Sequence, residues 1–113
     1  MTRVKSLAQN KHRKILKLAK GYKNSRSRRF TTANEAVMHA GQYAFEGRKR
    51  KKRDLRSLWI TRINAALHTE GVSYSKFIGM LKKSNVELDR KILADIAAHD
   101  LPTFVSVLKE VKS

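Results

Sequence analysis

The chain is 113 residues long, carries 26 Lys and Arg against nine Asp and Glu, has a formal net charge of +17 and contains no cysteine. That length allows one domain of ordinary size, and the missing thiols exclude disulfide scaffolds, zinc ribbons and cysteine chemistry, which fits a cytosolic-type compartment. The charge demands a polyanion, because each phosphate contact releases condensed counterions and relieves the self-repulsion of the free protein.

The positive charge is concentrated at one end. Nineteen of the bases fall in residues 1–62 against only Glu35, Glu46 and Asp54, whereas residues 63–113 hold seven bases and six acids. The first ten residues lack the apolar run of a secretory signal, and no stretch approaches the ~18 apolar residues of a membrane span, so a mature soluble chain is expected.

Residues 11–20, KHRKILKLAK, read as a short helix with Asn10 at its N-cap and Gly21 beyond its end. Its apolar stripe, Ile15, Leu16, Leu18 and Ala19, is narrow, so the helix should fray alone in water. Residues 22–30, YKNSRSRRF, show no helical period and read as an irregular basic connector. Thr32 with Glu35 three positions on forms a capping box, predicting a second helix from Ala33 to about Glu70, about 57 Å long at 1.5 Å per residue. Ala33, Val37, Ala40 and Ala44 give it one small-residue face, and Gly41 and Gly47 are its candidate bend points.

Farther along, Leu55, Leu58, Trp59, Ile63, Ala66 and Leu67 form a helical stripe whose expected role is core packing. After Gly71 three short capped helices are expected. The first is capped by Ser73, carries Phe77, Ile78 and Leu81, and ends near Lys83 before a Ser84-Asn85 turn. The second is capped by Asp89 and carries Ile92, Leu93, Ile96 and Ala97. The third is capped by Asp100, with Pro102 in its first turn and Phe104, Val105, Leu108 and Val111 on its apolar face. The fold class is therefore all-α: a long basic N-terminal helical extension over residues 1–58, followed by a small orthogonal helical bundle over 59–113.

The function-bearing signal is RKRKKR, residues 48–53. At 100° per residue, Arg48, Lys49, Arg50, Lys51, Lys52 and Arg53 point in every direction around a helix and leave no face for a core or for a membrane surface. Like charges four apart, such as Arg48/Lys52 and Lys49/Arg53, each cost a few tenths of a kcal/mol in water, so the helix here is expected to be poorly formed until phosphates surround it. A second cluster, Lys11, His12, Arg13, Lys14, Lys17, Lys20, Lys23, Arg26, Arg28 and Arg29, supplies further phosphate contacts, with Arg56 and Arg62 where the bundle begins. Tyr22, Phe30, Tyr43 and Phe45 are candidates for stacking on unpaired bases, Tyr22 and Phe30 being preferred because their surroundings offer little protein to pack against.

No catalytic or metal-binding residues emerge. His12, His39, His68 and His99 lack metal-site spacing, and Asp95 with His99 four residues on suggests a local hydrogen bond rather than acid–base chemistry. No enzyme, cofactor or small-molecule substrate is expected, and no membrane partner.

HRKILKLAKGY (12–22), the Arg-Ser-Arg that follows, AGQYAFEGRKRKKRDLRSLWITRINAA (40–66), YSKFI (74–78) and DRKILADIA (89–97) together closely resemble the large-subunit ribosomal protein family called L-twenty, of bacteria and organelles. The likeness covers nearly the whole chain in unbroken order. The lead-in over the first ten residues departs from the family pattern, as do Gly47 and Leu55, where an acidic or polar residue and an aromatic are usual. The resemblance implies a basic extension threading through 23S-type ribosomal RNA, a small helical domain at the RNA surface, neighbouring large-subunit proteins as partners, and early action in subunit assembly in the cytoplasm or an organelle. Some members also repress their own messenger RNA through the C-terminal domain, which makes that message a further candidate partner. The rival from composition alone is a general duplex DNA- or RNA-compacting protein.

Overall fold

The computed structural model describes residues 6–113, and these form five α-helices and one 3-10 turn, with no strand. The helices are α1 (Leu7–Leu18), α2 (Phe30–Thr69), α3 (Tyr74–Lys83), α4 (Arg90–His99) and α5 (Leu101–Lys112), and the turn spans Asn24–Ser27. The chain divides into two compact units, the first ending at Lys49 and the second running from Arg50 to Ser113.

In the first unit α1 begins four residues earlier than its sequence suggested. Ser6, not Asn10, is the N-cap, and its hydroxyl accepts from the Gln9 amide at 3.3 Å. Leu7, Ala8 and Gln9 are strong helix formers, and an Asn inside the helix costs only a few tenths of a kcal/mol, so the earlier cap prevails. The helix stops at Leu18, and the chain turns through Gly21 at φ +88°, a conformation that a side chain would strain.

The connector is more ordered than its composition indicated. Asn24 takes a left-handed φ of 57° and opens the 3-10 turn. The Arg29 amide donates to the Ser25 carbonyl at 2.8 Å, which carries the chain directly into α2. The capping box expected at Thr32 and Glu35 is absent: Thr32 lies inside the helix, and its hydroxyl donates to the carbonyls of Ser25 and Arg29 at 3.0 and 3.2 Å. A donor already committed to the preceding turn leaves Glu35 without a capping role. Ala19 and Ala33 are fully buried, with Ile15, Leu16 and Val37 half-covered, while Ala40 and Ala44 of the predicted small-residue face are exposed.

Helix α2 runs without a break through Gly41 and Gly47. It ends in a Schellman motif, in which the Val72 amide donates to the Leu67 carbonyl, the Gly71 amide donates to that of His68, and Gly71 has φ +66°. The same motif closes α3, with Asn85 at φ 53° in place of glycine and the Val86 amide donating to the Leu81 carbonyl at 3.0 Å. Both following valines pack against the core.

The second unit has a single core, made by Ile63, Ala66 and Leu67 of α2, Phe77 and Leu81 of α3, Leu93 and Ala94 of α4, and Phe104, Leu108 and Val111 of α5. Phe77 and Phe104 meet at 5.6 Å between centroids with planes 51° apart, a tilted pair. Arg90 Nε donates to the Tyr74 hydroxyl at 2.8 Å and ties α4 to α3. Asp89 and Asp100 cap α4 and α5 by accepting from the amides of Ile92 and Thr103. Ser73 occupies the N-cap position of α3, but only its carbonyl serves the helix, accepting from the Phe77 amide.

The predicted core stripe on α2 is too long. Ile63, Ala66 and Leu67 are buried and Trp59 is half-buried, but Leu55 and Leu58 are exposed. Helices of 10 to 12 residues cover only the last turns of α2, so its apolar pattern outruns its cover.

Candidate nucleic-acid interface

Every Lys and Arg predicted to contact nucleic acid is exposed. On α1 these are Lys11, Arg13, Lys14 and Lys17, followed by Lys20, Lys23, Arg26, Arg28 and Arg29 through the turn and Arg48–Arg53, Arg56 and Arg62 on α2. More telling is the run in which they lie: every residue from Met38 to Leu58 is exposed, over nearly six turns of helix at 3.6 residues per turn. A soluble helix normally covers one apolar face. This stretch covers none, and it leaves Met38, Tyr43, Phe45, Leu55 and Leu58 in solvent beside the cations.

The aromatic candidates divide differently from the expectation. Phe30 is half-buried, and the His12 ring stacks on it at 3.9 Å between centroids with planes 23° apart, so the protein already occupies one face of that ring. Tyr22 is also half-buried. For Phe30 the reason is α1, which brings His12 onto the ring, whereas Tyr22 lines a groove with Arg26 of the 3-10 turn and residues of α2. Tyr43 and Phe45, in contrast, are 66% and 56% exposed, and the Lys49 ammonium sits 4.4 Å from the Phe45 centroid in a cation–π contact. The two rings thus present more surface for stacking on a nucleobase than Phe30 or Tyr22, although Lys49 lies over one face of Phe45.

Grooves accompany the basic surface among the described residues. In the first unit a groove of about 660 Å³ is lined by residues that include Tyr22, Arg26, Glu35, His39 and Tyr43. Of these, Tyr22 and Arg26 belong to the predicted contact set and Tyr43 to the stacking candidates, whereas Glu35 and His39 were not singled out for contact. The missed signal is the spacing of Glu35, His39 and Tyr43, each four residues after the last, which puts them on one side of α2. In the second unit a groove of about 520 Å³ brings Arg62 together with Trp59, Asp89, Lys91, Ile92 and Asp95.

Asp95 and His99 lie side by side, with His99 Nδ1 3.1 Å from Asp95 Oδ1 on an exposed helix surface. Among the described residues, no three His, Cys, Asp or Glu side chains gather as metal ligands, and no helix is long and apolar enough to cross a membrane.

Cations dense on all sides of a helix, with exposed rings between them and a near-neutral bundle after them, are the surface of a protein that sits among phosphates. Independently, the family model described as Ribosomal protein L20 matches residues 3–107, a span that holds both basic clusters and most of the core. That family is structural rather than enzymatic and works within the ribosome, cytoplasmic or organellar. The chain therefore belongs to the ribosomal protein L20 family: it is a large-subunit ribosomal protein that binds ribosomal RNA.

Proposed function

We propose that the protein binds 23S-type ribosomal RNA directly and early in large-subunit assembly, and that it clamps separate RNA segments into one arrangement. The RNA-threading part comprises residues 1–58, and the domain from Trp59 onward fixes orientation at the RNA surface. Its contacts are the two basic clusters, from Lys11 to Arg29 and from Arg48 to Arg62. Because the deep groove of an RNA duplex is closed to side chains, selection rests on RNA shape and junction geometry more than on base sequence. Neighbouring large-subunit proteins complete the surroundings, and its own messenger RNA is a candidate second RNA partner.

The single observation that carries this reading is the unbroken exposure from Met38 to Leu58. A helix charged on every side gains nothing from a protein neighbour and much from phosphates, each of which it neutralises with release of counterions. Replacing residues 48–53 with Gln in the full chain tests it. The slope of log K against log salt is expected to fall by roughly 0.7–0.9 for every phosphate that the native run neutralises. An unchanged slope removes the run from the interface, and stronger binding to duplex DNA than to ribosomal RNA at physiological salt overturns the ribosomal specificity. Pulse-labelled cells separated on sucrose gradients test the timing, with the chain expected in the earliest large-subunit precursors.

A further inference from the structure

The groove beside the start of α2 contains a group that phosphate binding does not explain. Glu35 is one of three acids in residues 1–62, a stretch with nineteen bases. It caps no helix, since α2 begins at Phe30 and Thr32 donates backward. It is exposed at the wall of the groove, where Arg26, Tyr22, His39 and Tyr43 are its neighbours in the lining. A carboxylate among phosphates is repelled by them. Its favourable partner in RNA is a base edge that presents donors, because an ionised carboxylate only accepts.

We propose that this groove is a binding site for one unpaired guanine of the ribosomal RNA, with Glu35 reading its Watson–Crick edge. Guanine places the N1–H and N2–H donors side by side, matching the two oxygens of a carboxylate. Adenine and uracil offer no such adjacent pair. The other walls suit the remainder of a nucleotide. Tyr43 is two-thirds exposed and stands over His39 with ring centroids 6.0 Å apart and planes 25° from parallel, which gives a base a stacking platform. The Arg26 guanidinium, on the 3-10 turn, provides a charge-assisted donor for the phosphate of the same or the adjoining nucleotide. At about 660 Å³ the groove falls in the ~300–1,000 Å³ range of small-ligand sites. Unpaired bases splayed from a loop or bulge are also the part of RNA that proteins read by sequence. This site rests on the reading of the chain as a direct ribosomal RNA binder and adds one sequence-selective contact to an interface otherwise selective for shape.

Kethoxal, which modifies guanine at N1 and N2 only when that edge is free, is the probe. Full-length protein bound to large-subunit ribosomal RNA is expected to protect at least one unpaired guanine. Glu35→Gln should restore reactivity at that guanine about tenfold or more, with the salt slope unchanged because Glu35 neutralises no phosphate. Tyr43→Leu should weaken the same protection. Glu35→Gln is expected to melt at the wild-type temperature, so a missing footprint does not reflect unfolding. Tight, salt-dependent RNA binding without any Glu35-dependent guanine protection overturns the site alone. Absence of ribosomal RNA binding overturns the parent reading and the site with it. Saturable binding of free guanosine monophosphate by the protein without RNA would make a free nucleotide the occupant and overturn the assignment to an RNA base.

Discussion

The His12 imidazole lies flat on the Phe30 ring, 3.9 Å between centroids, joining α1 to the first residue of α2. They are eighteen positions apart in the sequence, and the intervening 3-10 turn brings them together. Phe30→Ala is expected to cost the first unit about 0.5–1.5 kcal/mol for the stack, beyond the apolar area it uncovers, and to release α1. Amide hydrogen exchange should then quicken across Leu7–Leu18 and remain unchanged in α3–α5.

Phe104 is fully buried against Phe77 at the centre of the second unit. Truncating such a ring to Ala removes ~3–5 kcal/mol, which is close to all that a core of this size supplies. Phe104→Ala should therefore abolish the cooperative melt of the bundle, seen as loss of near-ultraviolet circular dichroism and collapse of amide shift dispersion. A variant that still melted cooperatively within a few degrees of wild type would contradict the packing described.

Asn85 closes α3 with a left-handed φ of 53°. Glycine adopts that conformation without the Cβ penalty, whereas its flexibility costs something in the unfolded chain. The expected result of Asn85→Gly is a gain of a few tenths to ~1 kcal/mol, and of Asn85→Ala a loss of ~1 kcal/mol, both read from thermal denaturation.

The Asp100 carboxyl is held below its ordinary value of 3.8, first by the Thr103 hydroxyl and then by the Thr103 amide, both donating to it. A folded-state pKa lower than the unfolded one means that this cap stabilises α5 fully above the ordinary value and is lost as pH falls through the lowered one. Asp100→Asn retains an acceptor but carries no titrating proton. Its melting temperature should decline less steeply than wild type below about pH 4 and match the wild-type slope near neutrality.

The second unit was readable because its punctuation is local. Asp89, Asp100 and Pro102 announce helix starts by chemistry confined to one turn, and the structure uses all three as expected. The first unit was harder. Ser6 and Asn10 are both competent caps, and helix propensity of the residues between them decided for Ser6. Thr32 and Glu35 spell a capping box, yet a turn formed at Ser25 engages Thr32 first. The reach of the core along α2 depends on the lengths of three other helices, which no pattern within α2 encodes, so Leu55 and Leu58 looked buried and are not. On the candidate interface, Lys and Arg were legible as an exposed set because charge alone keeps them in solvent. The partner of Phe30 depends on where α1 lies, and the surroundings of Tyr22 on where α2 returns, both tertiary facts.

The joints of the second unit are short: residues 70–73 between α2 and α3, residues 84–89 between α3 and α4, and Asp100 alone between α4 and α5. Each turn brings together helices that are neighbours in the chain, so little entropy is spent on closing loops before contacts form. Helical domains built this way fold in microseconds to milliseconds. Translation at ~5–20 residues per second is far slower. Folding of the bundle is thus expected to keep pace with its emergence during synthesis.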